Sequence, residues 1–148
     1  MTMVITVKLS WVAELRYLGI FLVKSRSLKC SLDAAKRGFY RAANSTVFLA
    51  KVGRIASEEV VIHLIRTKCV PILLYGLEAL PLNKSQLSSL DFVVNRFFIK
   101  LFKTTDMQVV IMCREHFDFV LPSLQFDRRR RSFVGSPVTT DLMKFVFA

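Results

Sequence analysis

No stretch of this chain longer than nine residues is free of Asp, Glu, Lys and Arg, yet 53% of its 148 residues are hydrophobic and thirteen are Phe. Apolar runs cut so short cannot cross a bilayer, which takes roughly twenty such residues in succession. They must instead line one face of amphipathic elements that fold against one another. Disorder is excluded by the same composition, since this much apolar surface cannot stay solvated. The length suits one domain around one core. A mean hydropathy of +0.42 is high for a domain of this size, so part of the apolar surface is expected to belong against a neighbour.

Residues 1–11 place no basic segment ahead of their apolar residues and show no small-residue cleavage pattern, so secretion is not expected. Cys30, Cys69 and Cys113 are odd in number and widely spaced, as reduced thiols are and a disulfide framework is not. An intracellular location, nuclear or cytoplasmic, follows as the expectation, with no disulfides.

Twenty-two basic against eleven acidic residues leave a net charge of +11, which favours a polyanionic partner, nucleic acid first. The excess is uneven: net +8 over residues 1–56, −1 over 57–127 and +4 over 128–148. A basic face followed by a nearly neutral packing body is the simplest reading.

The β-branched segment 2–9 and the segment 16–23 (RYLGIFLV) read as two strands of a hairpin, with its turn near Trp11 to Glu14. Helical periodicity starts at Ser31, a candidate N-cap, with Asp33 in the first turn, and runs to about Ile55. Ser57 caps a second helix towards Ala79 that Pro71 must kink or split. Asn83 and Gln86 have capping-box spacing ahead of a third helix to about Lys103, and a shorter fourth spans about 106–117. Beyond Pro122 the run Arg128 to Arg131 and the Gly135-Ser136-Pro137 turn residues read as a surface strand or a disordered tail.

On the first helix, Lys36, Arg37, Arg41, Lys51 and Arg54 fall within an arc of about 140° at 100° per residue, and Tyr40 and Asn44 lie inside it. Leu32, Ala35, Phe39, Ala42, Ala43, Thr46, Leu49 and Ala50 fill the opposite side, while Val47 and Phe48 break the pattern. Cations with a ring and an amide between them suit phosphates, sugars and bases; a merely solvated polar face is the alternative. Arg128 to Arg131 can be read as a phosphate-binding or import patch or as a solvated tail. Cys113 and His116 have C-x-x-H spacing without a second close ligand pair, so no metal is expected. No phosphate loop, dinucleotide fingerprint, zinc-protease helix or nucleophile elbow occurs. The acids are scattered singly apart from Glu58-Glu59, unlike the converging carboxylates of two-metal phosphoryl transfer. Nothing points to catalysis or to a small-molecule substrate.

The blocks RYLGIFL (16–22), KCSLDAAKRGFYRAAN (29–44), KVGRIASEEVV (51–61), KCVPILLYGLEALPLNKS (68–85) and LDFVVNRFFIKLFKT (90–104) together resemble the C-terminal part of a LINE-type, jockey-like non-LTR retrotransposon reverse transcriptase. The resemblance extends over about residues 8–126. It implies a palm-edge hairpin, at 1–28, in which Tyr17, Leu18 and Gly19 support the primer end, Gly19 letting backbone come close to a strand. It implies a helical thumb and connection at 29–126, with Lys36, Arg37, Tyr40 and Arg41 along the primer-template duplex. The family's catalytic aspartates lie upstream in an x-A-D-D turn, and this sequence contains no Asp-Asp. Residues 127–148 depart from the family, which suggests a truncated copy with an unrelated end.

The fold expected is mostly α, a short N-terminal β-hairpin followed by a bundle of about four helices and a disordered basic tail. The function expected is that of an inactive reverse-transcriptase fragment with sequence-independent affinity for RNA or DNA primer-template, with no cofactor of its own, magnesium belonging only to an intact polymerase. The missing palm is the other partner implied. A module of a longer polymerase is one alternative. A small basic helical module whose apolar face binds a protein is another.

Overall fold

The two-residue turn Leu18-Gly19, both residues at positive φ (47° and 87°), organises the N-terminal end of the chain. Such a turn matches the right-handed twist of paired strands. In the computed structural model, which describes residues 10–26, 29–53 and 57–135, it joins β1 (Glu14–Tyr17) to β2 (Ile20–Val23) in antiparallel register, Tyr17 opposite Ile20 and Glu14 opposite Val23. The short β3 (Lys29–Cys30) pairs on the other side of β2, giving the order β1-β2-β3. The turn therefore falls inside the segment 16–23 expected as one strand, not at 11–14, and β1 begins ahead of that segment, at Glu14. The strand expected at 2–9 lies outside the described residues. The sequence reading missed this turn because leucine seldom adopts the left-handed region, which costs about 1–2 kcal/mol for a residue with a Cβ.

Helix α1 (Asp33–Gly53) starts two residues after the expected cap. The Ser31 amide donates to the Phe21 carbonyl of β2, and the Leu32 carbonyl accepts the first helical bond, from the Lys36 amide. The expected end at Ile55 lies outside the described residues.

The expected second helix is divided. Ser57 stands at the N-cap of α2 (Glu58–Leu64) in extended conformation but gives no side-chain cap bond. A π turn at Ile65–Cys69 then leads into α3 (Val70–Leu74). Pro71 supplies no N–H, and its ring crowds the carbonyl four residues back; the widened turn before it, with the Val70 amide reaching Ile65, accommodates both effects. Tyr75 (φ −59°, ψ 120°) and Gly76 (φ 69°, ψ 0°) are the central residues of a type II turn, followed by a 3₁₀ turn at Leu77–Ala79.

Helix α4 (Lys84–Phe102) carries both bonds of the expected capping box, the Gln86 amide to Asn83 at 2.8 Å and the Asn83 amide to Gln86 at 3.0 Å. Helix α5 (Met107–His116), within the span expected, is capped by Asp106, whose carboxylate accepts from the Gln108 amide at 2.8 Å. Past Pro122 the chain forms a further helix, α6 (Pro122–Val134), so Arg128 to Arg131 are neither strand nor tail. Its first turn is capped from outside: the Asp91 carboxylate of α4 accepts from the Ser123 amide at 2.9 Å. Phe126, on the inner face, is buried.

The core sits where α1, the α2–π–α3 column and α4 meet, with Phe39, Ile62, Ile65, Leu73, Leu90, Val94 and Phe98 all fully buried. Rings cross it edge to face, Phe39 to Phe97 at 6.4 Å and Phe98 to Phe119 at 5.1 Å between centroids. Such pairs add about 0.5–1.5 kcal/mol beyond their buried area.

Candidate nucleic-acid interface

The hairpin is held to the helical body by contacts at the type II turn. A Cβ on Gly76 would stand 2.3 Å from Ile20 Cδ1, and one on Gly19 would stand 3.3 Å from Tyr75 Cε1. Gly76 is thus favoured by φ and by space together, and Gly19 chiefly by its φ of 87°. Gly19 lies against the Tyr75 ring of its own chain.

This docking leaves a groove of about 590 Å³ between the hairpin, α1 and α3. Arg16 from β1 and Arg37 and Arg41 from α1 stand on its lining, as do Gly19 and Tyr75. Its apolar side comes from Ile20, Ala34, Ala35, Pro71, Ile72 and Leu77. Among the described residues no carboxylate lines it. The Arg16 guanidinium lies over the Phe21 ring, 5.8 Å from its centroid. Arg37 and Arg41 are exposed and sit one turn apart on the same helix stripe. Three cations facing one recess make a local positive potential that attracts phosphates.

Of the ten expected site residues, Gly19, Arg37 and Arg41 are brought together here. Tyr17 and Leu18 lie at the hairpin tip, 59% and 72% exposed, outside the groove lining. Tyr40 turns towards the core, half-buried, with its ring edge-on to Phe39. Asn44 accepts a 3.0 Å hydrogen bond from Lys100 Nζ of α4, and Lys36 is half-buried on the same stripe. Lys51 belongs to α1, and Arg54 lies outside the described residues. Within the arc, α4 thus meets α1 at Asn44. Leu49, expected on the buried side, is 71% exposed, as is Phe48 at 65%, while Val47 packs against the core.

Arg16 and Tyr75 were not anticipated. Arg16 is one residue from the hairpin tip, and Tyr75 precedes a glycine that ends an apolar run, which is a turn signal. Only the tertiary docking places them opposite Arg37.

A second cleft, about 680 Å³, gathers both histidines, His63 and His116, with Glu59, Asp118 and Arg66. Its mixed charge suits a polyanion less well. There Arg66 donates to the carbonyls of Phe117 and Asp118, the latter at 2.7 Å, closing the end of α5. Among the described residues no group of three or more His, Cys, Asp or Glu is placed to hold a metal ion, and no helix is long and apolar enough to cross a membrane. The three cysteines are free. Burial pushes the Cys30 and Cys69 thiols above their ordinary 9.0, partly offset at Cys69 by the Thr46 hydroxyl and at Cys30 by its backbone bond. Raised thiols of this kind are poor nucleophiles.

The chain matches no family model. No curated protein and no solved structure matches it either.

Proposed function

We propose that this chain is a thumb-like nucleic-acid-binding segment of a LINE-type reverse transcriptase, holding a primer-template without reading its sequence and carrying out no polymerisation itself. The observation that supports this most is the groove in which Arg16, Arg37 and Arg41 converge with no opposing carboxylate among the described residues. Phosphate contacts of this kind position a strand but carry no sequence information. The order of elements, a hairpin followed by helices of which the first is basic, also agrees with what the RYLGIFL and KRGFYRAAN blocks imply. The family's catalytic chemistry depends on an aspartate pair with magnesium, and no Asp-Asp stands in this sequence.

The exposed side of the hairpin suggests a second contact. Every residue of β1 is exposed, and Trp11, Leu15, Tyr17 and Leu18 present more apolar surface than water favours. In the thumb reading this side meets the palm. In the competing reading the same face docks a different protein, and the charge only aids solubility.

Binding of the purified chain to a labelled RNA·DNA primer-template over a series of salt concentrations separates these readings. Three arginine–phosphate contacts give a log-log slope of about −3, since each neutralised phosphate contributes about −0.9. An Arg37→Glu, Arg41→Glu double variant is expected to flatten the slope by about two. Binding that ignores salt, or a double variant that binds as tightly as the parent, defeats the proposal. Magnesium-dependent nucleotide incorporation by the chain alone defeats its inactive part.

A further inference from the structure

We propose that the groove accepts one unpaired nucleotide of a strand, stacking its base on Tyr75 while Arg37 and Arg41 hold the flanking phosphates. The inference rests on the reading that this groove takes nucleic acid, and adds what form of it enters. A recess of about 590 Å³ is within the size range of small-ligand sites, roughly 300–1,000 Å³. A duplex is far too wide for it, the major groove alone being about 12 Å across. A double helix therefore rests on the rim, and only a displaced nucleotide goes inside.

The chemistry of the walls points the same way. Phosphates alone would be served by a flat basic surface, whereas here the cations border an apolar lining formed by Ile20, Pro71, Ile72 and Leu77. A base is flat, apolar on its faces and attached to a charged backbone, so it matches a lining that combines apolar side chains with cations. Tyr75 supplies the ring. It is 60% exposed although it stands on the type II turn that anchors the hairpin, and Gly19 lies against it closely enough that a Cβ there would be 3.3 Å from Cε1. A large ring held on one side and open on the other is preorganised for stacking, so little side-chain entropy is lost when a base arrives. The turn gives Tyr75 this position because its φ of −59° and ψ of 120° carry the chain off the end of α3 instead of continuing the helix.

The test compares two single-stranded probes of equal length and charge, a short oligothymidylate and the corresponding abasic chain, by fluorescence anisotropy with the full chain. Parent protein is expected to prefer the base-bearing probe by about tenfold, the contribution of one stacked base. Tyr75→Ala is expected to abolish that preference while leaving affinity for the abasic chain unchanged, and Tyr75→Phe to keep it, with thermal melting confirming that both variants fold. Arg37→Glu with Arg41→Glu is expected to weaken both probes alike. Equal binding of the two probes by the parent, or a preference that survives in Tyr75→Ala, overturns the stacking inference and leaves the phosphate reading standing. Failure of the parent to bind either probe while it still binds the primer-template overturns the stacking inference alone, and failure to bind all three overturns both.

Discussion

Two groups of basic residues, one on α1 and one on α6, both offer cations to a polyanion as sequence and have different roles in the fold. On α1, Arg37 and Arg41 are exposed beside a groove. On α6, Arg130 is half-buried, donates to the Leu80 carbonyl at 3.3 Å, and lies over the Phe126 ring at 6.0 Å. That arginine closes the end of the 3₁₀ turn and covers a core ring, as a long amphipathic side chain does. Arg128 and Arg129 share a shallower recess with Asp118 and Arg66, where one carboxylate already offsets part of the charge. Charge density along a sequence thus measures how many cations are present, and packing decides how many remain free to meet a ligand.

The comparison depends on the groove existing, and the largest effect is expected where the groove is assembled. Gly76→Ala adds a methyl 2.3 Å from Ile20 Cδ1 at a φ of 69°, combining overpacking with left-handed strain. A loss of about 3 kcal/mol in unfolding free energy is expected, read by denaturant titration. Next comes the contrast itself. Reversing Arg37 and Arg41 is expected to weaken primer-template binding by roughly 2 kcal/mol more than reversing Arg128 and Arg131 does, by titration at one salt concentration. Equal losses would make the two runs equivalent and remove the distinction.

Asp91→Ala removes the cap that α4 supplies to α6 and should cost about 1 kcal/mol, with faster amide exchange at Ser123 and its neighbours than elsewhere in the chain. Leu18→Asn is expected to stabilise the protein by about 1 kcal/mol, because Leu18 is exposed at a φ of 47° that asparagine tolerates. If melting temperature falls instead, the tip contributes contacts beyond its turn. The smallest effect concerns pH. Thiols raised in the fold favour the native state fully below the unfolded value of 9.0. That contribution declines as pH climbs from there towards the raised values, since the unfolded chain releases those protons first. Replacing Cys69 with Ala should lessen the alkaline decline in stability measured by denaturation.

Several elements could be read directly because their signals are local. The capping box of Asn83 and Gln86 and the Asp106 cap each involve residues two or three apart, so spacing alone locates α4 and α5. Helix α6 could not be read in this way. Its cap comes from Asp91, thirty-two residues away, and its arginine run hides the buried anchor Phe126. The site divides along the same line. Arg37 and Arg41 are a helical stripe and show in the sequence, but that Tyr40 is half-buried and that Asn44 accepts from Lys100 of α4 is defined only by the bundle.

The sequence by itself determined that the chain is mostly helical behind a short sheet, that its basic residues are concentrated at the two ends, and that α1 has a cationic side. Those properties follow from periodicity, caps and charge, which act over a few residues. Tertiary structure alone decided that the hairpin turns at Leu18-Gly19 and seats on Tyr75-Gly76, that Arg16 and Tyr75 join Arg37 and Arg41 around one groove, and that Arg130 is committed to a backbone carbonyl. Each of these depends on which surfaces exclude each other's volume once the core has closed, and residues far apart in the chain acquire that relation only in the folded state.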